Sequence, residues 1–169
     1  MANNCFYELK IIGERSSCVE WHRRMIDRDS PNSFRRIFSA EICGEQERDD
    51  GLYEMDIIGD CAWSLETCCR ESGYAGRDLF AANSADLHIL MEAWSKEPGI
   101  GFSEHYIYDS GVCLTAEEAD YEEWYWDKSE YPDFDSFAAE YPDAPSVDLF
   151  DEDGNASIFG FGAPWVWNI

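Results

Sequence analysis

The sequence predicts an α+β fold: a ferredoxin-like antiparallel sheet with helices on one face, followed by an acidic C-terminal extension. Three observations predict it. Apolar and polar residues alternate in several short segments, of which residues 5–13 are the first. Two segments with helical spacing interrupt these strands in the order β-α-β-β-α-β. Finally, residues 1–96 carry 18 acids and 11 bases, whereas residues 97–169 carry 18 acids and one base.

The first half of the chain contains three predicted strands and one helix. The first strand, residues 5–13, places its apolar and polar side chains on opposite faces. A helix follows with Ser17 as its N-cap and with helical spacing at Val19, His22, Met25 and Ile26. Strands are predicted at 34–43 and 52–59, and the turn-forming sequence GEQERDDG separates them as in a hairpin.

The second half begins with a helix predicted somewhere within residues 64–86. Strands are predicted at 88–95 and 102–108, and the second of them ends in a turn at Asp109-Ser110-Gly111. This completes a predicted core domain at residues 1–111.

Residues 112–169 form the predicted acidic, aromatic-rich extension, which we expect to pack on the core. Within it, residues 113–127 fit a helix with buried rings and equally a strand with alternating rings and acids, so both interpretations stay open. A short helix is predicted between Pro132 and Pro142, and the chain ends in a predicted strand whose rings dock on the core.

Composition limits the classes of protein to which the chain can belong. Its 169 residues have a formal net charge of −24, yet 45% are hydrophobic and 15% aromatic, which excludes intrinsic disorder. Such a charge disfavours direct binding to nucleic acid or to anionic membranes. Seven cysteines without a C-x-x-C pair predict buried free thiols in a reducing cytoplasm. With no signal peptide and no long apolar run, we expect a location in the cytoplasm of a host cell.

Three segments resemble a known family. They are NNCFYELKIIG at residues 3–13, GDCAWS at 59–64 and SKEPGIGFSEHYIYDSG at 95–111. Together they are similar to the YubB-type ferredoxin-like proteins of phages and plasmids, whose openings read N-W-C-x-N-x-L-x-I-x-G. The resemblance covers about residues 3–126, and Asn4 stands where that family usually has Trp. It implies the fold and an origin in a mobile element, and it implies no catalytic residues.

Motifs that would indicate an enzyme or a cofactor are weak. His105 and Glu104 are neighbours in a predicted strand and therefore face opposite sides. The PGIG turn at 98–101 lacks the GK[ST] of a phosphate-binding loop, and the acidic turn DEDGN at 151–155 fails the EF-hand pattern. Cys68-Cys69 has no resolving partner at motif spacing. We therefore predict a protein without enzymatic activity, cofactor or metal.

The acidic, aromatic stretch from Glu117 to Asp143 is the candidate functional surface. A row of carboxylates on a rigid scaffold can approximate the phosphates of nucleic acid, which follow one another every ~3.4 Å along a strand. The predicted partner-binding acids are Glu117, Glu118, Asp120, Glu122, Glu123, Asp127, Glu130, Asp133, Asp135, Asp151, Glu152 and Asp153. Trp124 and Tyr125 are the predicted aromatic anchors.

These observations favour an acidic inhibitor from a mobile element. It would mimic nucleic acid and occupy a basic DNA- or RNA-binding groove of a host protein or ribonucleoprotein complex, as an anti-CRISPR protein does on a CRISPR effector. Two alternatives stay open: a metal-dependent or small-ligand enzyme with His105 and Glu104 near its site, and an acidic adaptor protein without mimicry.

Overall fold

A computed structural model of the chain describes residues 4–72, 75–144 and 160–168. Six antiparallel strands form its main sheet: β1 (Asn4–Gly13), β2 (Glu41–Glu47), β3 (Tyr53–Ala62), β6 (Leu90–Glu97), β7 (Phe102–Asp109) and β8 (Val112–Asp120). Their order is β2-β3-β1-β6-β7-β8, so β2 and β8 are the edges. Two smaller sheets pair β4 (Arg70–Ser72) with β5 (Ala75–Asp78), and β9 (Glu123–Trp126) with β10 (Trp165–Asn168).

Within the described residues, four helices accompany the sheets: α1 (Arg15–Ile26), α2 (Leu65–Cys68), α3 (Leu79–Leu87) and α4 (Phe134–Glu140). The main hydrophobic core lies between the sheet and the first three of them. In β1, Tyr7, Leu9 and Ile11 are buried while the residues between them are half-buried, as the strand period of two requires. Trp21 and Met25 of α1 are also fully buried in this core. Each such side chain contributes about 1.5–3 kcal/mol through removal from water.

The prediction of a ferredoxin-like fold is wrong. Strands account for 45% and helices for 22% of the described residues, so the molecule is a six-stranded antiparallel sheet with few helices and not a ferredoxin-like arrangement with helices packed on one face. The difference arises because β6, β7 and β8 follow one another through short turns and widen the sheet. Part of the segment predicted as the second helix instead forms the β4–β5 hairpin.

Two predictions in the first half need correction. The strand predicted at 34–43 lies at Glu41–Glu47, and residues 34–40 contribute only an isolated bridge between Ile37 and Cys61. The helix predicted to begin after Ser17 begins at Arg15, and its cap residue makes no side-chain hydrogen bond. The glutamates of β2 hide the alternation of apolar and polar residues by which a strand is predicted from sequence. The apolar residues of 34–40 are spaced like those of a strand, although they form none.

The open choice for residues 113–127 resolves as strand, because β8 and β9 occupy this segment. The short helix predicted between Pro132 and Pro142 is confirmed as α4. Among the cysteines, all of them free, Cys43 and Cys113 are exposed and the other five are buried. No helix in the described ranges is long and apolar enough to cross a bilayer.

Candidate functional site

The C-terminal extension has a hydrophobic core of its own, formed by Trp126 of β9, Phe137 of α4 and Val166 of β10, all buried. Further rings pack around them: the ring centroids of Trp126 and Phe134 are 5.5 Å apart, and those of Phe137 and Tyr141 are 5.1 Å apart. Aromatic pairs of this kind contribute about 0.5–1.5 kcal/mol beyond the area that they bury. These elements of the extension therefore form a packed scaffold.

The segment that contains β10 fastens this scaffold to the main sheet. β10 pairs in parallel with β9, and the Trp165 ring stacks on Phe6 of β1 at a centroid distance of 6.1 Å. The buried Lys96 of β6 donates a hydrogen bond to the carbonyl oxygen of Ala163, and its Nζ lies 4.3 Å from the centroid of the Tyr121 ring. Burial lowers the pKa of Lys96 to about 8.

Uncompensated carboxylates dominate the surface of this scaffold. Residues 112–144 contain eleven Asp and Glu but one base, Lys128. Every Lys and Arg of the chain lies in a described range, yet their salt bridges with described carboxylates all fall between residues 10 and 86. The Nζ of Lys128 lies over the Trp126 ring, 5.4 Å from its centroid. The described acids of the extension therefore present negative charge that no Lys or Arg neutralises through an ion pair.

Strand alternation divides the acids of β8 between two faces. Glu118 lies opposite Glu104 of β7, on the side of the hydrophobic core, and Asp120 shares that side. Glu117 lies opposite His105 on the other side, where its Oε2 is 3.8 Å from the ring Nδ1. The continuous row of carboxylates predicted from sequence is therefore two separate groups along this strand.

Glu123 binds several groups of the scaffold itself. Its carboxylate accepts hydrogen bonds from the backbone N–H of Gly99 at 2.9 Å, from the hydroxyls of Tyr121 at 3.1 Å and Tyr125 at 2.8 Å, and from the indole N–H of Trp167 at 3.2 Å. These donors come from the β6–β7 turn, from the β8–β9 segment and from β10. Glu123 thus connects three parts of the fold.

Two further acids have local roles in the backbone. Asp127 accepts hydrogen bonds from the hydroxyl and N–H of Ser129, which lower the pKa of its carboxyl group. Asp133 is the N-cap of α4 and accepts a hydrogen bond of 2.8 Å from the N–H of Ser136. Both carboxylates fix the path of the chain through these hydrogen bonds.

The remaining predicted residues divide into exposed and enclosed groups. Glu122, Glu130 and Asp135 are exposed, and their carboxylates form no hydrogen bond or ion pair with the described residues. Tyr125 is also exposed, whereas the half-buried Trp124 contacts Tyr141 at 6.1 Å between ring centroids. The predicted acids at Asp151, Glu152 and Asp153 lie outside the described residues.

A compact cluster of carboxylates lies on the core side of the sheet. One oxygen each from Glu66, Glu104 and Glu118 lies within 4.8 Å of the other two, and carboxylates at this spacing are ligands that Ca²⁺ or Mg²⁺ accepts. Glu104 is buried and accepts hydrogen bonds from the hydroxyls of Ser95 at 2.5 Å and Tyr106 at 3.0 Å. Burial raises the pKa of Glu104, and these hydrogen bonds oppose the shift.

The negative charges of this cluster also affect the pKa of Glu97 at the end of β6. Its own burial raises its pKa to about 7, and the negative charges of Glu104 and Glu118 add to the shift. Because the folded state binds this proton more tightly than the unfolded state does, Glu97 costs no stability below the unfolded pKa of 4.5. Its cost appears as the pH rises from 4.5 through 7 and is complete above that range.

We expect Glu97→Gln to increase the free energy of unfolding by about 1–2 kcal/mol at pH 8, a figure reduced from the full linkage value because Glu97 is partly exposed. At pH 4.5 the gain should be near zero, since the native side chain is then protonated. Urea denaturation at the two pH values measures both effects. Glu47→Gln, an exposed change in β2 with the same charge difference, is the control. Equal gains at both pH values would contradict the assigned burial effect.

His105 and Glu104 do face opposite sides of the sheet, as predicted. The Nε2 of His105 lies 3.0 Å from Oε1 of Glu92, and its ring stacks on Trp94 at 5.2 Å between centroids. The enzyme alternative placed His105 and Glu104 near its site. In the structure, the groups near Glu104 are Glu66 and Glu118 instead.

Comparison with known proteins adds no relative. No protein-family model, curated protein or solved structure matches this chain. The resemblance to YubB-type proteins remains a prediction from sequence, and the functional argument rests on the geometry described above.

Sequence reasoning missed both the place of Glu66 in the carboxylate cluster and the neighbouring Glu97. Neither lies in a recognised motif; Glu66 approaches Glu104 through the start of α2, and Glu97 through cross-strand register. The pairing of Ser95 with Glu104 and of Glu104 with Glu118 is the signal that would have revealed the cluster.

Proposed function

We propose that this protein is a non-enzymatic inhibitor that uses its acidic extension to occupy a basic nucleic-acid-binding surface of another protein. The supporting observation is the set of acids between Glu117 and Asp143, which are held on a packed scaffold and have no Lys or Arg partner in the described structure. Self-repulsion of this kind is unfavourable in the free protein, and a cationic partner would relieve it.

The arrangement supports mimicry by a folded surface rather than by one straight row. Exposed acids come from three connected places, the edge strand β8, the segment around β9 and the first turn of α4. Acids two residues apart on one face of a strand are about 6.7 Å from each other, which is within the range that neighbouring Lys and Arg of a phosphate-binding groove can span. Glu123 and Asp133 contribute charge while they stabilise the scaffold.

Electrostatic attraction would govern both the speed and the salt dependence of the encounter. Complementary charge raises association rates above the neutral range of about 10⁵–10⁶ M⁻¹s⁻¹. Because surface charges are screened over about 8 Å at physiological ionic strength, the affinity should fall steeply as salt increases. Binding through apolar contacts alone would lack this dependence.

The partner that fits this surface is a host protein or ribonucleoprotein complex whose nucleic-acid channel is strongly basic. A CRISPR effector has such a channel. A mobile element, the predicted origin of this protein, would benefit from an inhibitor of such a host defence complex. On this proposal the protein acts in the cytoplasm of the host and does not itself bind nucleic acid.

The proposal is tested by capture from a bacterial lysate on the immobilised protein, followed by elution with a salt gradient. We expect a basic nucleic-acid-binding protein or complex to elute at moderate salt and to be released by added duplex DNA or RNA. A captured protein that resists both salt and nucleic acid would contradict the proposal, as would the absence of any salt-dependent partner.

A further inference from the structure

A cleft with a positive lining lies far along the chain from the acidic extension, between the end of α1 and the segment 34–40. Its volume is about 750 Å³, and Leu79 at the start of α3 closes one side of it. Three arginines line it: Arg28, Arg35 and Arg36. We propose that this cleft binds a phosphorylated small molecule of mononucleotide size, a role separate from the proposed function of the extension.

Six of the twelve Lys and Arg residues form no ion pair within the described residues, and three of these six line the cleft. Arg23, Arg24, Arg48, Arg70, Arg77 and Lys10 all form ion pairs with carboxylates. In contrast, the guanidinium groups of Arg28, Arg35 and Arg36 form no ion pair within the described residues, although the chain contains 36 acids. Glu71 is the carboxylate among the described lining residues, and it pairs with Arg77. The cleft is therefore a local concentration of unneutralised positive charge.

Backbone hydrogen bonds hold both walls of the cleft in place. On one wall, the N–H of Arg35 donates to the carbonyl of Cys68 at 2.9 Å, and the carbonyl of Arg36 accepts from Ala62 at 3.1 Å. On the other wall, the carbonyl of Pro31 accepts from the Arg77 guanidinium at 2.8 Å. The binding groups are thus mounted on fixed backbone, which reduces the entropy that a ligand must overcome.

The backbone at Arg36 is strained. Arg36 has φ 57°, a left-handed conformation that is unfavourable for a residue with a side chain, and Trp63 beside it has φ 67°. The Arg36 guanidinium lies 4.2 Å above the centroid of the Trp63 ring. Strain of this kind persists where the surrounding contacts enforce it, and the Trp63 ring holds the guanidinium of this cleft-lining residue.

The size and the apolar part of the lining define the ligand class. Cavities of about 300–1,000 Å³ suit small organic ligands, and fixed guanidinium groups bind phosphate oxygens in pairs. Phe34, Ile37 and the 59%-exposed Phe38 add an apolar surface suited to a flat ring. The hydroxyl of Ser30, which accepts a hydrogen bond from the Asn32 N–H, can donate a further one. A ligand with two or three negative charges and a planar body matches these features.

A long nucleic acid is the weaker candidate for the same chemistry. With a net charge of −24, the protein repels an extended polyanion that must run beyond the cleft. A small ligand inside the cleft feels mainly the charges within about 8 Å. The charged residues that line the cleft are the three arginines and Glu71, whose carboxylate pairs with Arg77.

Isothermal titration calorimetry of the intact protein with ADP tests the proposal. We expect saturable binding of one ADP per chain below ~1 mM, and at least tenfold weaker binding in Arg28→Gln and in Arg35→Gln. Arg48→Gln, in the turn between β2 and β3, is the matched control and should leave ADP binding unchanged. Arg36→Gln is less informative because its backbone is strained, so circular dichroism must accompany that variant.

Three results would overturn the proposal. They are no ADP binding at ~1 mM, equal loss of affinity in Arg48→Gln, and tighter binding of a 12-nucleotide single strand than of ADP. Pyrophosphate and adenosine test the phosphate contacts of the arginines separately from the inferred ring contact. Pyrophosphate that binds as tightly as ADP would overturn the inferred ring contact, and adenosine that binds as tightly as ADP would overturn the role of the arginines.

Discussion

The variant Phe137→Ala is expected to lose about 3–5 kcal/mol from the stability of the C-terminal extension, because large-to-small changes in a packed core leave a cavity. Phe137 is 1% exposed and contacts the rings of Trp126, Tyr131, Phe134 and Tyr141. Three of the described residues are buried in the second core, so the loss of one of them removes much of its described part. Urea denaturation followed by tryptophan fluorescence measures the effect, since Trp126 is buried in this core.

The same variant tests the contribution of the packed scaffold separately from that of the negative charge. Phe137→Ala changes no carboxylate, yet we expect it to weaken binding of the captured partner because the acids lose their fixed positions. Phe38→Ala is the control, since Phe38 is 59% exposed and its removal should cost less than about 0.5 kcal/mol. Unchanged unfolding and unchanged partner binding in Phe137→Ala would show that the extension needs no core of its own.

Neutralising three exposed acids, in the variant Glu122→Gln/Glu130→Gln/Asp135→Asn, is expected to weaken partner binding roughly 100-fold at physiological salt, as close charge pairs across interfaces contribute strongly. These three carboxylates form no hydrogen bond or ion pair with the described residues. Their removal reduces self-repulsion, so the melting temperature should stay equal or rise. Surface plasmon resonance at several salt concentrations measures the affinity, and the difference from the native protein should shrink as salt increases.

The matched control is Glu41→Gln/Glu47→Gln/Asp49→Asn, which removes the same charges from β2 and the turn after it, at the opposite edge of the main sheet. This control should bind the partner within about twofold of the native protein, provided that screening limits each charge to its surroundings. If both triple variants weaken binding equally, net charge rather than the acidic extension would govern recognition.

The sequence predicted local structure better than architecture. Strict alternation in β1 and the short helix between two prolines were predictable, because each depends on neighbouring residues. The number of strands in the sheet was not, because β8 joins it only through pairing with β7. The segment 113–127 satisfies both helical and strand periods, and this non-local pairing selects the strand.

The candidate sites show the same limit. The acidic character of the extension is visible in composition, whereas the division of Glu117 and Glu118 between two faces requires the strand assignment. The arginine cleft was not predicted because residues 34–43 resemble a strand, in which Arg35 and Arg36 would point in opposite directions. In the structure both line one cleft, and Arg36 has a left-handed backbone conformation that no local pattern encodes.

Competition between this protein and nucleic acid for the captured partner tests the central claim most directly. Fluorescence anisotropy of a labelled duplex or RNA bound to the partner would be followed while the protein is added. We predict full release of the nucleic acid at stoichiometric protein, with loss of this activity in the Glu122/Glu130/Asp135 variant and its retention in the Glu41/Glu47/Asp49 variant. A stable ternary complex of partner, nucleic acid and this protein would contradict the account.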